Sequence, residues 1–233
     1  MKRPVIHCEI CGHRAESIFC SLAGAHLEQL DREKMVHKYE KGEVVFYEGT
    51  PALAVHCIYS GRVKLYKSGP KGDAQVIRLL GPGDIFGYRA LLAEEPFAAT
   101  AEVVETTVIC AITKQTLFDL LKHSQDLTMR LLAKLASELK TSEEQMLAMA
   151  QETVRQRTAK LLLFLGEGNK HKYKSGSPLN VPLMRSEMAQ MVGTTPETFS
   201  RTLRYLAAKG VLNLTRTEIS INNPSALRVM ARP

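Results

Sequence analysis

The chain has 233 residues, 45% of them hydrophobic and 24% charged, with a formal net charge of +7. That balance is enough for one large core or two modest ones and excludes a chain disordered throughout. No run approaches the ~18 consecutive apolar residues of a membrane span, and the start MKRPVIHCEICGHR is basic without a signal-peptide core, so a cytoplasmic protein with reduced cysteines is expected.

The charge is unevenly placed. Residues 1–150 hold 18 Lys/Arg against 19 Asp/Glu, whereas residues 151–233 hold 13 against 5. A basic unit beside a neutral one points to a polyanion-binding module attached to something else.

In chain order, residues 1–22 carry Cys8, Cys11 and Cys20 with little hydrophobic periodicity and read as a loop-like arm. From about 36 to 112 come short β-type runs, VVFYEG, HCIYSGRVKLYKSGPKGD, VIRLLGPGDIFG and ATAEVVETTVICAI, punctuated by turn signals at Ser60-Gly61 and Gly81-Pro82-Gly83. That spacing predicts an antiparallel β-roll of the cupin-like jelly-roll kind. Cys57, inside the strand pattern VHCIY, reads as a small buried core residue.

Residues 114–150 turn helical. Leu132, Leu135, Leu139, Ser142, Met146 and Met149 are spaced alternately three and four apart, with Glu138, Lys140, Glu143 and Glu144 off that line. Such a narrow a/d seam predicts a helix pairing with its copy in a homodimer, weakened by Ser142. Residues 166–178, GEGNKHKYKSGSP, read as a polar, basic loop.

MRSEMAQMVGTTPETFSRTLRYLAAKGVL then reads as helix, tight turn, helix. Met184, Met188, Met191 and Val192 mark the first helix's apolar side and Gly193 ends it. Thr195 suits the N-cap of the second helix, Pro196 its first position and Glu197 its dipole. Phe199, Leu203 and Leu206 share one face, while Glu197, Ser200, Arg201 and Arg204 fall together on the other. A major-groove reader needs such a set, because Arg pairs with guanine and a carboxylate accepts from cytosine. VLNLTRTEISI follows as a two-stranded wing whose Arg216 is placed to reach a phosphate of double-stranded DNA. No GxSxG, Walker loop or HExxH occurs, so an enzyme is not expected.

The order of roll, long helix and winged helix-turn-helix, with Glu197-Thr198-Phe199-Ser200-Arg201, resembles the CRP/FNR superfamily of bacterial transcription regulators over nearly the whole chain. The resemblance implies an α+β fold with a cysteine-bearing arm (1–22), a β-roll sensor domain (23–113), a dimerisation helix (114–150) and a winged helix-turn-helix (151–233). It also implies RNA polymerase as a partner, touched through the turn Gly69-Pro70-Lys71-Gly72-Asp73, which reads equally as a plain hairpin turn.

Cyclic-nucleotide members of the superfamily carry a Glu after Phe-Gly and an Arg before Ala-Thr. Here Tyr88 and Phe97 stand at those positions, with Arg89 one place off, so no cyclic nucleotide is expected. The FNR branch resembles the chain instead at Ile6-His7-Cys8-Glu9-Ile10-Cys11, at Cys20, and at the strand Val104–Ile112 that holds Cys110. This resemblance implies a [4Fe–4S] cluster on Cys8, Cys11, Cys20 and Cys110, lost to oxygen or nitric oxide, and an operator like TTGAT-N4-ATCAA. The eight residues between Cys11 and Cys20 exceed the familiar spacing of that branch, with His7 and His13 as alternatives to Cys20. The motif CxxC also serves zinc sites and dithiol switches, and His26, His37, His56 and His123 leave a haem sensor open; each keeps the fold and changes only the signal.

Overall fold

The structure, a computed structural model, describes residues 6–69, 72–167, 176, 178–179, 182–215 and 218–232. It divides into two compact units, Met1–Lys140 and Thr141–Pro233.

In the first unit two short 3-10 turns, Arg14–Glu16 and Ile18–Ser21, lead into helix α1 (Gly24–Glu33). Ser17 caps the second turn by accepting from the Phe19 N–H at 3.3 Å. Ile18, Phe19 and Leu22 are buried there, so the arm is packed along this stretch and not merely looped. Helix α1 is not legible as one in the sequence, although Leu27 and Leu30, three apart, are its buried face.

Eight strands follow: β1 (Met35–Tyr39), β2 (Val44–Phe46), β3 (Ala54–Ser60), β4 (Val63–Ser68), β5 (Ala74–Leu80), β6 (Ile85–Phe86), β7 (Thr100–Val103) and β8 (Thr107–Thr113). A short helix α2 (Tyr88–Ala93) lies between β6 and β7. They form two four-stranded antiparallel sheets, β1-β8-β3-β6 and β2-β7-β4-β5, which is the expected roll. Ile58, Val63, Leu80, Phe86, Ala101, Val103 and Ile109 fill the space between the sheets. The turn between β3 and β4 requires its glycine: Gly61 has φ +85°, and a Cβ there would meet the Thr107 side chain and lie 2.6 Å from the Thr106 carbonyl.

Strand residues alternate faces, so Val55 and Ile112 point to the outer side of the first sheet. There they join Leu22, Leu27, Leu30, Leu117, Leu120, Leu127 and Leu131 in a second core under the arm and helices. The stretch expected as one helix is two, α3 (Lys114–His123) and α4 (Gln125–Gln151). The break falls at Ser124, whose backbone is extended (φ −130°, ψ 98°). Leu127 and Leu131 bind the start of α4 to the core, and Leu135 packs on it too. Leu135 therefore belongs to the roll side of α4, whereas Leu132 and Leu139 are exposed.

The second unit holds the end of α4, then α5 (Val154–Glu167), α6 (Arg185–Val192), α7 (Pro196–Ala208), the hairpin β9 (Leu212–Leu214) with β10 (Ile219–Ile221), and α8 (Pro224–Met230). Ala159, Leu162, Ala189, Phe199, Leu203, Leu206 and Leu227 are fully or nearly fully buried in it. Most of the basic loop predicted at 166–178 lies outside the described residues.

Candidate functional site

The helix-turn-helix is built by local signals. Gly193 ends α6 in the left-handed region (φ 69°), and the Thr195 hydroxyl accepts from the Thr198 N–H at 3.3 Å to start α7. Arg157 of α5 donates to the Val192 carbonyl at 2.8 Å and so holds the C-terminal end of α6. Phe199, Leu203 and Leu206 face inward, while Pro196, Glu197, Arg201 and Arg204 are exposed and Ser200 is half-buried beside them. The Glu197 carboxyl is held below its ordinary range by its own backbone N–H and by Thr195, so it stands ionised as an acceptor. Met184 differs from expectation: it precedes α6 as its cap, 65% exposed, with its N–H donated to Glu187 Oε2 at 2.7 Å. Met188, Ala189 and Val192 make the buried face instead. Arg216 lies outside the described residues; at the wing, Arg185 donates to the Thr215 carbonyl at 2.8 Å.

The cysteines gather at the other unit. A cavity opens between the arm and the outer face of the first sheet. Cys8, Cys11, Cys57 and Cys110 line it; Cys20 does not. The turn carrying the first pair is closed by the Cys11 N–H donating to the Cys8 carbonyl at 3.4 Å and by the Arg14 N–H donating to the Cys11 carbonyl at 3.0 Å. Asp31 of α1 ties this turn down: its carboxylate accepts from the Cys8 N–H at 2.7 Å and faces His7 Nδ1 at 3.0 Å.

Lys34, with its side chain 4% exposed, pairs with the same carboxylate and also lines the cavity. A buried ammonium beside thiols is a site for negative charge. Burial pushes the Cys8 and Cys110 thiols up to about 11, against the pull of Lys34, and Cys57 up to about 12. Among the described residues no three Cys, His, Asp or Glu side chains converge on a single metal ion.

Two family models match the chain: a cyclic nucleotide-binding domain over residues 36–124 and a Crp-like helix-turn-helix domain over residues 156–230. The chain is 30% identical to the cyclic AMP receptor protein of Thermus thermophilus over 193 residues, covering 83% of this chain and 86% of that protein. The chain belongs to the CRP/FNR family of transcription regulators. It is also 27% identical to the anaerobic regulatory protein of Pasteurella multocida, over 95% of this chain and 81% of that one. Among solved structures it is similar to FixK2 from Bradyrhizobium japonicum, with 26% identity, a TM-score of 0.75, and coverage of 86% and 98%.

In a CRP/FNR roll the cassette after β6 is where a cyclic nucleotide would lie, and the residues here do not fit one. Tyr88 and Phe97 are both buried. The Phe97 ring stacks on Phe46 with centroids 3.6 Å apart and planes 9° from parallel, and His56 and Phe86 pack beside Phe46. Burial holds His56 down to about 4, so it brings no positive charge. Arg89 is exposed on α2. A phosphate placed here would find no cation at the two cassette positions, where Tyr88 and Phe97 stand, and Arg78 near Tyr88 is already paired with Glu138.

Proposed function

We propose that this regulator senses oxygen, nitric oxide or redox state through a [4Fe–4S] cluster held by cysteines of the arm and roll, and that the cluster controls dimerisation and operator binding. The observation that carries the reading is the joint lining of one cavity by Cys8, Cys11 and Cys110 beside the buried Lys34.

The donor set fits. Thiolates are the ligands of such clusters, and in a four-iron cube each binds a different iron. The sulfurs then need not converge on one point, as zinc demands at about 2.3 Å from each. When bound, the cluster supplies a centre that oxygen or nitric oxide dismantles. The protein's own parts do the rest: Asp31 fixes the arm turn through the Cys8 N–H, Lys34 offsets the negative charge of the thiolates, and β8 presents Cys110 from a rigid strand. The relatives named for anaerobic regulation and for fumarate and nitrate reduction support this signal.

The output follows from the second unit and α4. Met129, Leu132, Leu139 and Met146 are exposed on α4 at coiled-coil spacing, and two copies paired there present two α7 helices to a palindrome. Glu197, Ser200 and Arg201 read the TTGAT half-site of a TTGAT-N4-ATCAA-like operator, and Arg204 and Arg216 are assigned to phosphates. RNA polymerase contact belongs to the turn 69–73, of which Pro70 and Lys71 lie outside the described residues.

The test is anaerobic purification with a visible spectrum and iron and sulfide counts, repeated after exposure to air. A brown protein absorbing near ~400 nm, with about four iron and four sulfide per chain and bleaching in air, is expected. A colourless, iron-free protein would overturn the sensor reading and leave the DNA-binding unit standing.

A further inference from the structure

Cys57 and Cys110 occupy directly opposed positions on β3 and β8. Opposed residues of an antiparallel pair send their side chains out of the same face, with Cβ atoms about 4.5–5.5 Å apart. Here that face is the outer one, since the neighbouring pair Ile58 and Ile109 fills the space between the sheets. The arm covers the outer face, and Cys8 and Cys57 both pack against the core cluster beneath it. Cys8, Cys11, Cys57 and Cys110 thus enclose one cavity from two sides, two from the arm and two from the strands.

Cys20 stands apart from this group. It lies on the second 3-10 turn, where Ser17 and Phe19 line the cavity but Cys20 does not. The turn is held by burial of Ile18, Phe19 and Leu22. Arg14 also donates to the Leu22 carbonyl at 2.6 Å, and the Cys20 N–H donates to the Ser17 carbonyl at 3.2 Å. Ser17 is the residue of the turn that reaches the strand cysteines, its hydroxyl 3.9 Å from Cys57 Sγ.

We infer that the cluster's four ligands are Cys8, Cys11, Cys57 and Cys110, so that two thiolates come from the arm and two from facing strands of the roll, and Cys20 is not a ligand. The inference rests on the cluster reading above. Its consequence is mechanical: half of the ligand set is fixed in the sheet, and the other half sits on the turn that Asp31 ties down.

The experiment is anaerobic reconstitution of the full chain with ferrous iron and sulfide, comparing the wild type with Cys57→Ala and Cys20→Ala. Cys57→Ala should lose about tenfold or more of the iron and sulfide retained, a scale that even outer partners of a metal ligand reach, while Cys20→Ala keeps the wild-type counts. Anaerobic alkylation with iodoacetamide and peptide mapping supplies a readout that needs no variant. Cys20 should label at the same rate in cluster-loaded and cluster-free wild type. Protection of Cys20 by the cluster, full iron in Cys57→Ala, or loss of iron in Cys20→Ala would each overturn this ligand set while leaving the cluster itself established. A wild type that takes up no iron would instead bring down the sensor reading, and the ligand set with it.

Discussion

Arg78 of β5 and Glu138 of α4 form an ion pair, Nη1 to Oε2 at 2.8 Å, that ties the roll to the helix within the first unit. Lys134 stands 3.6 Å from the other carboxylate oxygen. Tyr88, at the cassette position where the nucleotide-binding members carry a Glu, faces the same carboxylate and is raised above its ordinary range by burial and by that contact. The roll and the helix are therefore joined around the cassette by the chain's own side chains.

This pair gives stability a definite pH dependence. Burial pushes the Glu138 carboxyl up, but its bonds to Arg78 and Tyr88 and the charges of Arg78 and Lys134 outweigh burial and hold it below the usual range. A depressed carboxyl stabilises the fold above its unfolded value of about 4.3 and loses that contribution as the pH falls through the folded value. Both side chains keep some solvent contact, so Glu138→Gln should cost about 1–3 kcal/mol at pH 7, below the cost of a fully buried pair. Urea melts should show the gap between wild type and variant closing below about pH 4. A gap independent of pH would mean that the carboxylate charge contributes nothing.

The proposed dimer through α4 would place its weight on few side chains. Leu139 is 63% exposed and Met146 is 73% exposed in the single chain, seven residues apart on one stripe. Burying a leucine contributes about 1.5–3 kcal/mol, and two-fold symmetry counts it twice. Leu139→Glu should therefore raise the dimer dissociation constant by at least about a hundredfold, with the fold of the single chain unchanged because Leu139 is exposed there. Sedimentation velocity over a concentration series, with circular dichroism alongside, reads both. An unchanged dimer would place the interface elsewhere.

The parts of this architecture written in local sequence are legible, and the parts set by distant pairing are not. Gly193, Thr195 and Pro196 announce the turn and the second helix within four residues, because each acts on the backbone beside it. The roll is legible from its turn signals, and the glycine of one of them is sterically required at Gly61. Cys57 reads as plain core because alternation along VHCIY does not say which face is which. Only the register of β3 against β8, strands more than forty residues apart in sequence, sets it opposite Cys110. Leu135 satisfies the heptad spacing as well as its neighbours do, yet it belongs to the roll, since spacing alone does not tell which apolar surface a helix side meets. Met184 fits the period of α6, but the helix begins one residue after it.

Base reading should rest on Arg201 more than on any other residue of α7. Its side chain is exposed on the face opposite Phe199 and Leu203, one turn after the ionised Glu197, within the N-terminal half of the helix that enters a major groove. A bidentate Arg–guanine contact carries about 1–3 kcal/mol of discrimination. Arg201→Ala should therefore weaken binding to a TTGAT-N4-ATCAA duplex by about ten- to hundredfold and flatten the preference at one G·C pair per half-site. Arg204, a turn further along, should instead weaken all duplexes alike when replaced by Ala, and lower the slope of log affinity against log salt by about one for each phosphate left without its arginine. Titrations of both variants against the operator and single-base variants of it, at two salt concentrations, separate the two roles. Equal loss on every sequence for Arg201→Ala would move Arg201 to the phosphate backbone and leave Glu197 and Ser200 as the base readers.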